Sequence, residues 1–397
     1  MKEAALFVAS ACVSAVVNAL GVFHARGAGQ ERILVVKLDH PGDVVLAVPA
    51  IRALRDAYPE AIIDALVAPG SAFVLAGNPA LNRVLAYDSP RFRRAPKPEG
   101  PPRAALAGLV TKGYTIVVEL RGDEETLSLP FRIGARRRVD RGTVRLLDWI
   151  SRRFDKRPPL HEVETNLAIV RPLLNRDVRD RVRDATPERA PLEVYGAPEA
   201  ERSLARKLEA AGADPHAPLV CVHAGASWRP RAWDPARFAA VADWMQGHYH
   251  AQVVFVGSDD ERDIEASVRA NVTGGRTFWL TGAISWLELH ALLARCILFL
   301  GNDSGPAHLA AAVGTPSVVL FGPQDSRRFG PWSPRTLVLH HRAPCWPCAQ
   351  TRCVRPEAPC VNDISVSEVT AAIARLLDVS SRALDFTRRR IEDEEAS

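Results

Sequence analysis

Residues 301–312 read Gly-Asn-Asp-Ser-Gly-Pro-Ala-His-Leu-Ala-Ala-Ala and stand between two apolar runs, Cys-Ile-Leu-Phe-Leu at 296–300 and Pro-Ser-Val-Val-Leu-Phe at 316–321. The runs have the length and boundaries of buried strands. The small-residue segment between them opens as a helix does, on Asp and Ser with Pro306 in its first turn. A strand, a Gly-bounded turn and a helix N-terminus in that order point to an α/β architecture. They also make a place for an anion, because free backbone N–H groups and the positive end of the helix dipole favour phosphates. The segment is therefore a candidate cradle for a nucleoside diphosphate, although strand–turn–helix corners also occur where nothing binds.

The rest of the chain repeats the alternation. In the first half, strands are expected at 33–38, 61–67, 83–87 and 115–120, and helices at 44–57 (bent by Pro49), 103–111 and 163–174. The charged, weakly patterned stretch 175–190 is the linker candidate. In the second half, strands at 219–223, 252–256 and 277–280 alternate with helices at 198–211, 235–247, 259–269 and 286–295, ahead of the 297–321 unit, and the chain turns helical again from Ser365. Apolar strands separated by helices predict a parallel sheet covered on both faces. A chain of 397 residues exceeds one ordinary core. Two such domains are expected, at 31–185 and 186–378, with an apolar extension at 1–30 and a tail at 379–397.

Ligands of such sheets bind at the carboxyl ends of the strands, and polar groups gather there in this sequence. The first strand runs into Lys37-Leu-Asp-His-Pro-Gly-Asp43, where Asp43 either caps the next helix or faces the crevice. After the 219–223 strand comes His223-Ala-Gly225-Ala-Ser227-Trp-Arg-Pro-Arg231-Ala-Trp233. Gly225 and Ser227 permit close backbone approach, and Arg229 and Arg231 either suit a diphosphate or are simply solvated. Glu261 either accepts from ribose hydroxyls or caps a helix. His308, one turn into the small-residue helix, either donates to an oxyanion or fills space as a neutral ring.

With 47% hydrophobic and 24% charged residues the chain is globular. Its formal net charge of +5 is unevenly placed: between 132 and 157 stand ten Arg or Lys against three acids. That excess, with Arg136, Arg137 and Arg138 at its centre, would draw a polyanionic acceptor or an anionic membrane, unless it is a solvated face. No nucleic-acid-binding module accompanies it, so no nucleic acid partner is expected. There is no Walker A sequence and no G-x-G-x-x-G fingerprint, which speaks against ATP hydrolysis and nicotinamide chemistry. Residues 4–23 carry no charge, and Ser10, Ser14 and Asn18 recur at four-residue spacing. That pattern fits a signal anchor, a membrane-associating helix or a helix docked on the protein, and peripheral membrane association is the expectation. Four of seven cysteines crowd together as Cys345, Cys348, Cys353 and Cys360. The loop is a candidate tetrahedral site for a structural zinc or iron, the alternative being four free thiols.

The order and spacing of Lys37-x4-Gly42-Asp43, His223-Ala-Gly225 and Asp303-Ser304-Gly305-Pro-x-His308-x-Ala-Ala-Ala-x-Gly314-x-Pro316 resemble glycosyltransferase family 9, the heptosyltransferases of lipopolysaccharide assembly, across residues 32–378. The resemblance implies the GT-B fold, an α/β architecture of two Rossmann-like domains whose parallel sheets face across a cleft. It implies an ADP-heptose donor held in the second domain, at His223, Gly225, Ser227, Arg231, Glu261, Asp303, Ser304, Gly305 and His308. The first domain would hold the acceptor, an anionic glycolipid of the lipopolysaccharide core, with Lys37, Arg136, Arg137 and Arg138 as the candidate contacts. Chemistry of this kind is inverting and needs no cofactor, with Asp43 as general base, and it takes place in the cytoplasm at the inner face of the cytoplasmic membrane. The four-Cys loop resembles that of family members acting on proteins, where such cysteines hold iron, so a protein acceptor of autotransporter type is an alternative. A sugar-nucleotide epimerase or hydrolase on the same fold is another, and a silent binding protein a third.

Overall fold

The computed structural model describes residues 8, 11, 12, 14–16, 18, 30–88, 112–122, 133–144, 159–346, 348 and 350–378. The expected helix at 103–111 and the tail at 379–397 lie outside these residues, as do the basic positions 132, 145, 152, 153, 156 and 157. The chain divides into two compact units, Met1–Tyr195 and Gly196–Ser397.

In the first unit five parallel strands, β1 (Arg32–Lys37), β2 (Ile62–Val67), β3 (Arg83–Ala86), β4 (Ile116–Glu119) and β5 (Arg137–Asp140), lie in the order β3-β2-β1-β4-β5. All of β4, and β1 and β2 beyond their first residue, are buried, as mostly apolar strands in a doubly covered sheet should be, with Asp64 buried among them. The apolar run at 44–57 is split into α1 (Pro41–Val45) and α2 (Val48–Ala57), because Pro49 has no N–H to offer Val45. Fully buried Asn166, on α3 (Glu162–Val170), donates to the Leu46 carbonyl at 3.0 Å and so satisfies an acceptor at the break.

Two parts of this unit differ from expectation. The stretch 175–190 packs into the first unit instead of linking the two. Asn175 caps a short helix at Arg176–Arg181 through Val178 N, and Val178, Ala190 and Leu192 are buried anchors. Strand β5, within the basic run, carries Arg-Arg-Val-Asp. Its alternation is hidden in the sequence because the inward-facing positions, Arg138 and Asp140, are themselves charged; they lie 3.5 Å apart and are buried. Of the apolar extension, residues 8, 11, 12, 14–16 and 18 are helical, and Asn18 bonds to the backbone of Arg138 on β5. Among the three expected fates of this segment, docking on the protein is the one observed. No helix among the described residues is long and apolar enough to cross a membrane.

The second unit has six parallel strands, β6 (Leu219–His223), β7 (Gln252–Phe255), β8 (Thr277–Trp279), β9 (Cys296–Asn302), β10 (Ser317–Phe321) and β11 (Thr336–His340), in the order β11-β10-β9-β6-β7-β8. The connecting helices include α4 (Pro198–Ala210), α5 (Pro235–Tyr249), α6 (Trp286–Arg295) and α7 (Gly305–Val313). Val220, Val222, Leu298, Leu300, Val318 and Leu320 form the spine of its core, with Trp233 and Phe238 packed edge to face at 5.1 Å. In each sheet the strand order reverses once, between β1 and β4 and between β6 and β9. Such a reversal parts the following connections to opposite faces and leaves a crevice at the carboxyl ends, where ligands of open α/β sheets lodge. Asp43 follows β1, and the His223 and Asp303 loops follow β6 and β9.

Candidate active site

At the β1/β4 reversal of the first unit, a chain of buried charges surrounds Asp43. Lys37 ends β1 with its ammonium 3.0 Å from Asp39 and 3.6 Å from Glu162, and it donates to the Leu120 carbonyl at 3.2 Å. Arg141 forms a two-pronged pair with Glu162, one bond at 2.6 Å, and also donates to the Leu120 carbonyl at 3.0 Å. Glu119, at the end of β4, accepts from the backbone of Arg121 and Gly122. Asp43 itself is half-buried in α1, and it caps nothing, since the N-cap position belongs to His40. Burial first, and then the carboxylate of Asp39, lift its pKa to about 7; Lys37 and Arg141 pull the other way. A carboxylate poised near neutrality is matched to accepting a proton at physiological pH.

This geometry moves two of the expected acceptor contacts inward. Lys37 is 2% exposed and its ammonium already faces two carboxylates and a carbonyl, so it acts on Asp43 through space and offers nothing to a surface-bound acceptor. Arg138 is 1% exposed, turned in beside Asp140 by the pleat of β5, while Arg137 is exposed and Arg136 half-exposed. Glu162 and Arg141 escaped the sequence reading because they lie far along the chain from Asp43 and carry no motif of their own.

In the second unit the loops after β6 and β9 are fastened to one another. The hub is Asn302, fully buried at the end of β9. Its amide donates to the carbonyls of Ala224 and Gly225 at 2.8 and 3.2 Å, and its oxygen accepts from Trp233 N at 3.0 Å. An asparagine closing an apolar strand was the available signal. His223 bridges the loops as well, with Nδ1 3.0 Å from Ser304 Oγ and Nε2 3.3 Å from Glu261 Oε2. Burial alone would raise Glu261, but the bonds from His223 and from Ser258 outweigh it and hold the carboxyl down at about 2. This carboxylate lies against Gly225 so closely that a Cβ there would overlap it; any other residue at 225 would displace Glu261.

The N-cap of helix α7 is Ser304, whose hydroxyl donates to the Asn302 carbonyl at 3.1 Å and so does not cap the helix N–H groups. Gly305 is the first residue, and a Cβ on it would stand 3.0 Å from the Trp286 ring. His308 is buried one turn on. Arg231 lies 3.7 Å from Asp303, whose pKa burial pushes up to about 6 against the pull of that guanidinium. Arg231 also donates to Gln350, which bonds in turn to Gln324. Ser227 is exposed, and Arg229 is exposed and paired with Asp263 at 2.9 Å. His223, Gly225, Arg231, Glu261, Asp303, Ser304, Gly305 and His308 are thus gathered around the β6 and β9 ends. The arrangement offers helix N–H groups and a guanidinium for a diphosphate, with a carboxylate for hydroxyls.

Gln350 belongs to the cysteine loop and has a left-handed backbone, φ 56°, with its N–H 3.4 Å from Cys348 Sγ. Burial raises the Cys360 thiol, and so do Cys345, Cys353 and Cys348 in turn. Four cysteines are a donor set of the kind that zinc or iron takes. No three metal-ligating side chains converge among the described residues, however.

The model of glycosyltransferase family 9 (heptosyltransferase) matches residues 109–358. The chain is 29% identical over 303 residues to lipopolysaccharide heptosyltransferase 3 of Escherichia coli, spanning 74% of this chain and 84% of that one. Its fold resembles that of a glycosyl transferase family 9 member from Veillonella parvula, with a TM-score of 0.70 at 22% identity over 87% of this chain and 97% of the other. It also resembles the ADP-heptose lps heptosyltransferase II of E. coli, at 0.67 and 20% over 88% and 99%. These likenesses place its two parallel-sheet units among GT-B-type folds. Because the family model spans more than half of its length, the chain belongs to glycosyltransferase family 9, the heptosyltransferases, and is a glycosyltransferase.

Proposed function

We propose that this enzyme transfers a heptosyl group from ADP-heptose to an acceptor of the lipopolysaccharide core, with inversion at the anomeric carbon. The observation that carries the reading is a carboxylate raised toward neutrality at one strand reversal together with an uncapped helix N-terminus at the other. Asp43 takes the proton from the acceptor hydroxyl as that oxygen attacks the sugar. Base, oxygen and anomeric carbon must stand nearly in line for this. As the bond to the donor breaks, charge passes to the diphosphate, and the N-terminus of α7, His308 and Arg231 stabilise it. Glu261 holds the ribose with the oxygen that His223 does not use. Arg136 and Arg137 meet the anionic part of the acceptor, and the work is done on the cytoplasmic side, at the inner face of the membrane.

Mass spectrometry after incubation with ADP-heptose and heptose-deficient core glycolipid tests the reading. The expected product is the acceptor carrying one more heptose. ADP released at the same rate with no acceptor present, and no new glycoside, would overturn transfer in favour of hydrolysis.

A structural ion completes the cysteine loop in this reading. Cys345, Cys348, Cys353 and Cys360 would hold it with no position left for substrate, so its contribution is to fold the loop that carries Gln350. Elemental analysis is expected to find about one zinc or iron per chain, lost with a lowered Tm when Cys345 and Cys348 become Ser. Metal-free protein whose four thiols all react in the native state would show a plain reduced loop instead.

A further inference from the structure

Among the described residues of the N-terminal helix, it is polar side chains that bond to the protein. Asn18 and Ser14, one turn apart, share the inner side. The Asn18 amide accepts from Arg138 N–H at 2.8 Å and donates to the Arg138 carbonyl at 3.0 Å. It thereby satisfies both backbone groups of one residue on β5, the edge strand of its sheet. Ser14 is buried and donates to the Asp140 carboxylate. The outer side carries Val8, Cys12, Ala15 and Val16, all exposed. Val8 and Val16, 48% and 49% exposed, are two of only four exposed large hydrophobic residues among those described.

A surface helix normally buries its apolar stripe and wets its polar one. Here the polar residues are consumed in docking, and residues 4–23 hold no charged side chain that could solvate the outer face. The strand that the helix grips, β5, carries exposed Arg137, preceded by half-exposed Arg136. We propose that the helix is an interfacial anchor: its polar face grips β5, and its apolar face enters an anionic lipid surface whose headgroups pair with Arg136 and Arg137. An apolar face together with cations on the strand that holds it is the chemistry such helices use. A second copy of the chain fits less well, since a two-fold contact sets a patch against itself and would bring these arginines together. The proposal rests on the membrane-face placement made above and deepens it. Its test uses neither donor nor acceptor, so a failure of the transfer reading and a failure of this one are separately visible.

Sedimentation of the full chain with vesicles decides it. Phosphatidylglycerol-containing vesicles should bind the protein about thirtyfold more tightly than phosphatidylcholine alone, the worth of two arginines near a charged surface. The preference should fade with salt. The double variant Val8→Asp, Val16→Asp should lose at least about tenfold in vesicle binding with an unchanged Tm, because both side chains point away from the protein. Arg137→Glu should abolish the lipid preference. Equal vesicle binding by the Val8/Val16 variant overturns the proposal. So does a wild type that ignores vesicles but forms dimers which that variant dissolves, since the face would then belong to a second copy.

Discussion

Asp43→Asn is expected to lower turnover by about 10²–10⁴-fold, the usual worth of a positioned general base. ADP affinity should stay within about twofold, because the base enters only the transition state. The amide keeps the volume of the carboxylate and cannot take the acceptor's proton. With its pKa lifted to about 7 by burial and by Asp39, Asp43 should also give the wild-type kcat/KM an acid limb near neutrality, well above the range of an ordinary carboxylate. Stability moves in the opposite sense. Between about pH 4 and 7 the folded chain keeps a proton that the unfolded chain has released, so this group's contribution to stability falls as pH rises through that window. The Asn variant, free of that cost, should gain in Tm relative to wild type from pH 4 upward and most above pH 7. Turnover within threefold of wild type, from rates with saturating donor and acceptor, would remove Asp43 from the chemistry.

Arg231→Ala should weaken ADP binding by about 1.5–3 kcal/mol, or roughly 10–150-fold, the range for a hydrogen bond to a charged group. The guanidinium is held from two directions, by Asp303 at 3.7 Å and by Gln350, so little ordering is left to do when a diphosphate arrives. Lys at the same position keeps the charge but not the planar fork, and should recover only part of the loss. Calorimetry on the three proteins reads this directly. Equal affinities for wild type and Arg231→Ala would place the guanidinium outside the donor site.

The sheets could be read from the sequence because their central strands are mostly apolar, and a disturbance of the 44–57 helix because a proline cannot donate, although the bend expected at Pro49 is a break at Leu46–Ala47. Strand β5 could not, since its inward positions are Arg138 and Asp140 and their pairing exists only after folding. The same limit applied to the site. His223, Glu261, Asp303 and His308 stand in compact motifs at strand ends, where local spacing carries the signal. Glu162 and Arg141, which set the charge around Asp43, reach it across the chain, and Gln350 reaches Arg231 from a loop whose only visible pattern was cysteine. Lys37 enters the acceptor contacts only through the family resemblance, which says nothing of its burial. Its burial between Asp39 and Glu162 depends on groups that sequence spacing does not bring together.

The amide of Asn18 has a practical consequence. It occupies the N–H and the carbonyl of Arg138 much as a neighbouring strand would, so it acts as a stopper on sheet growth. Shortening the chain at its apolar start, a common step toward a better-behaved protein, removes that stopper and leaves an edge free to pair with the same edge of another molecule. A truncated enzyme could therefore shed its affinity for lipid and become stickier toward itself, and substituting Val8 and Val16 is the safer route to solubility.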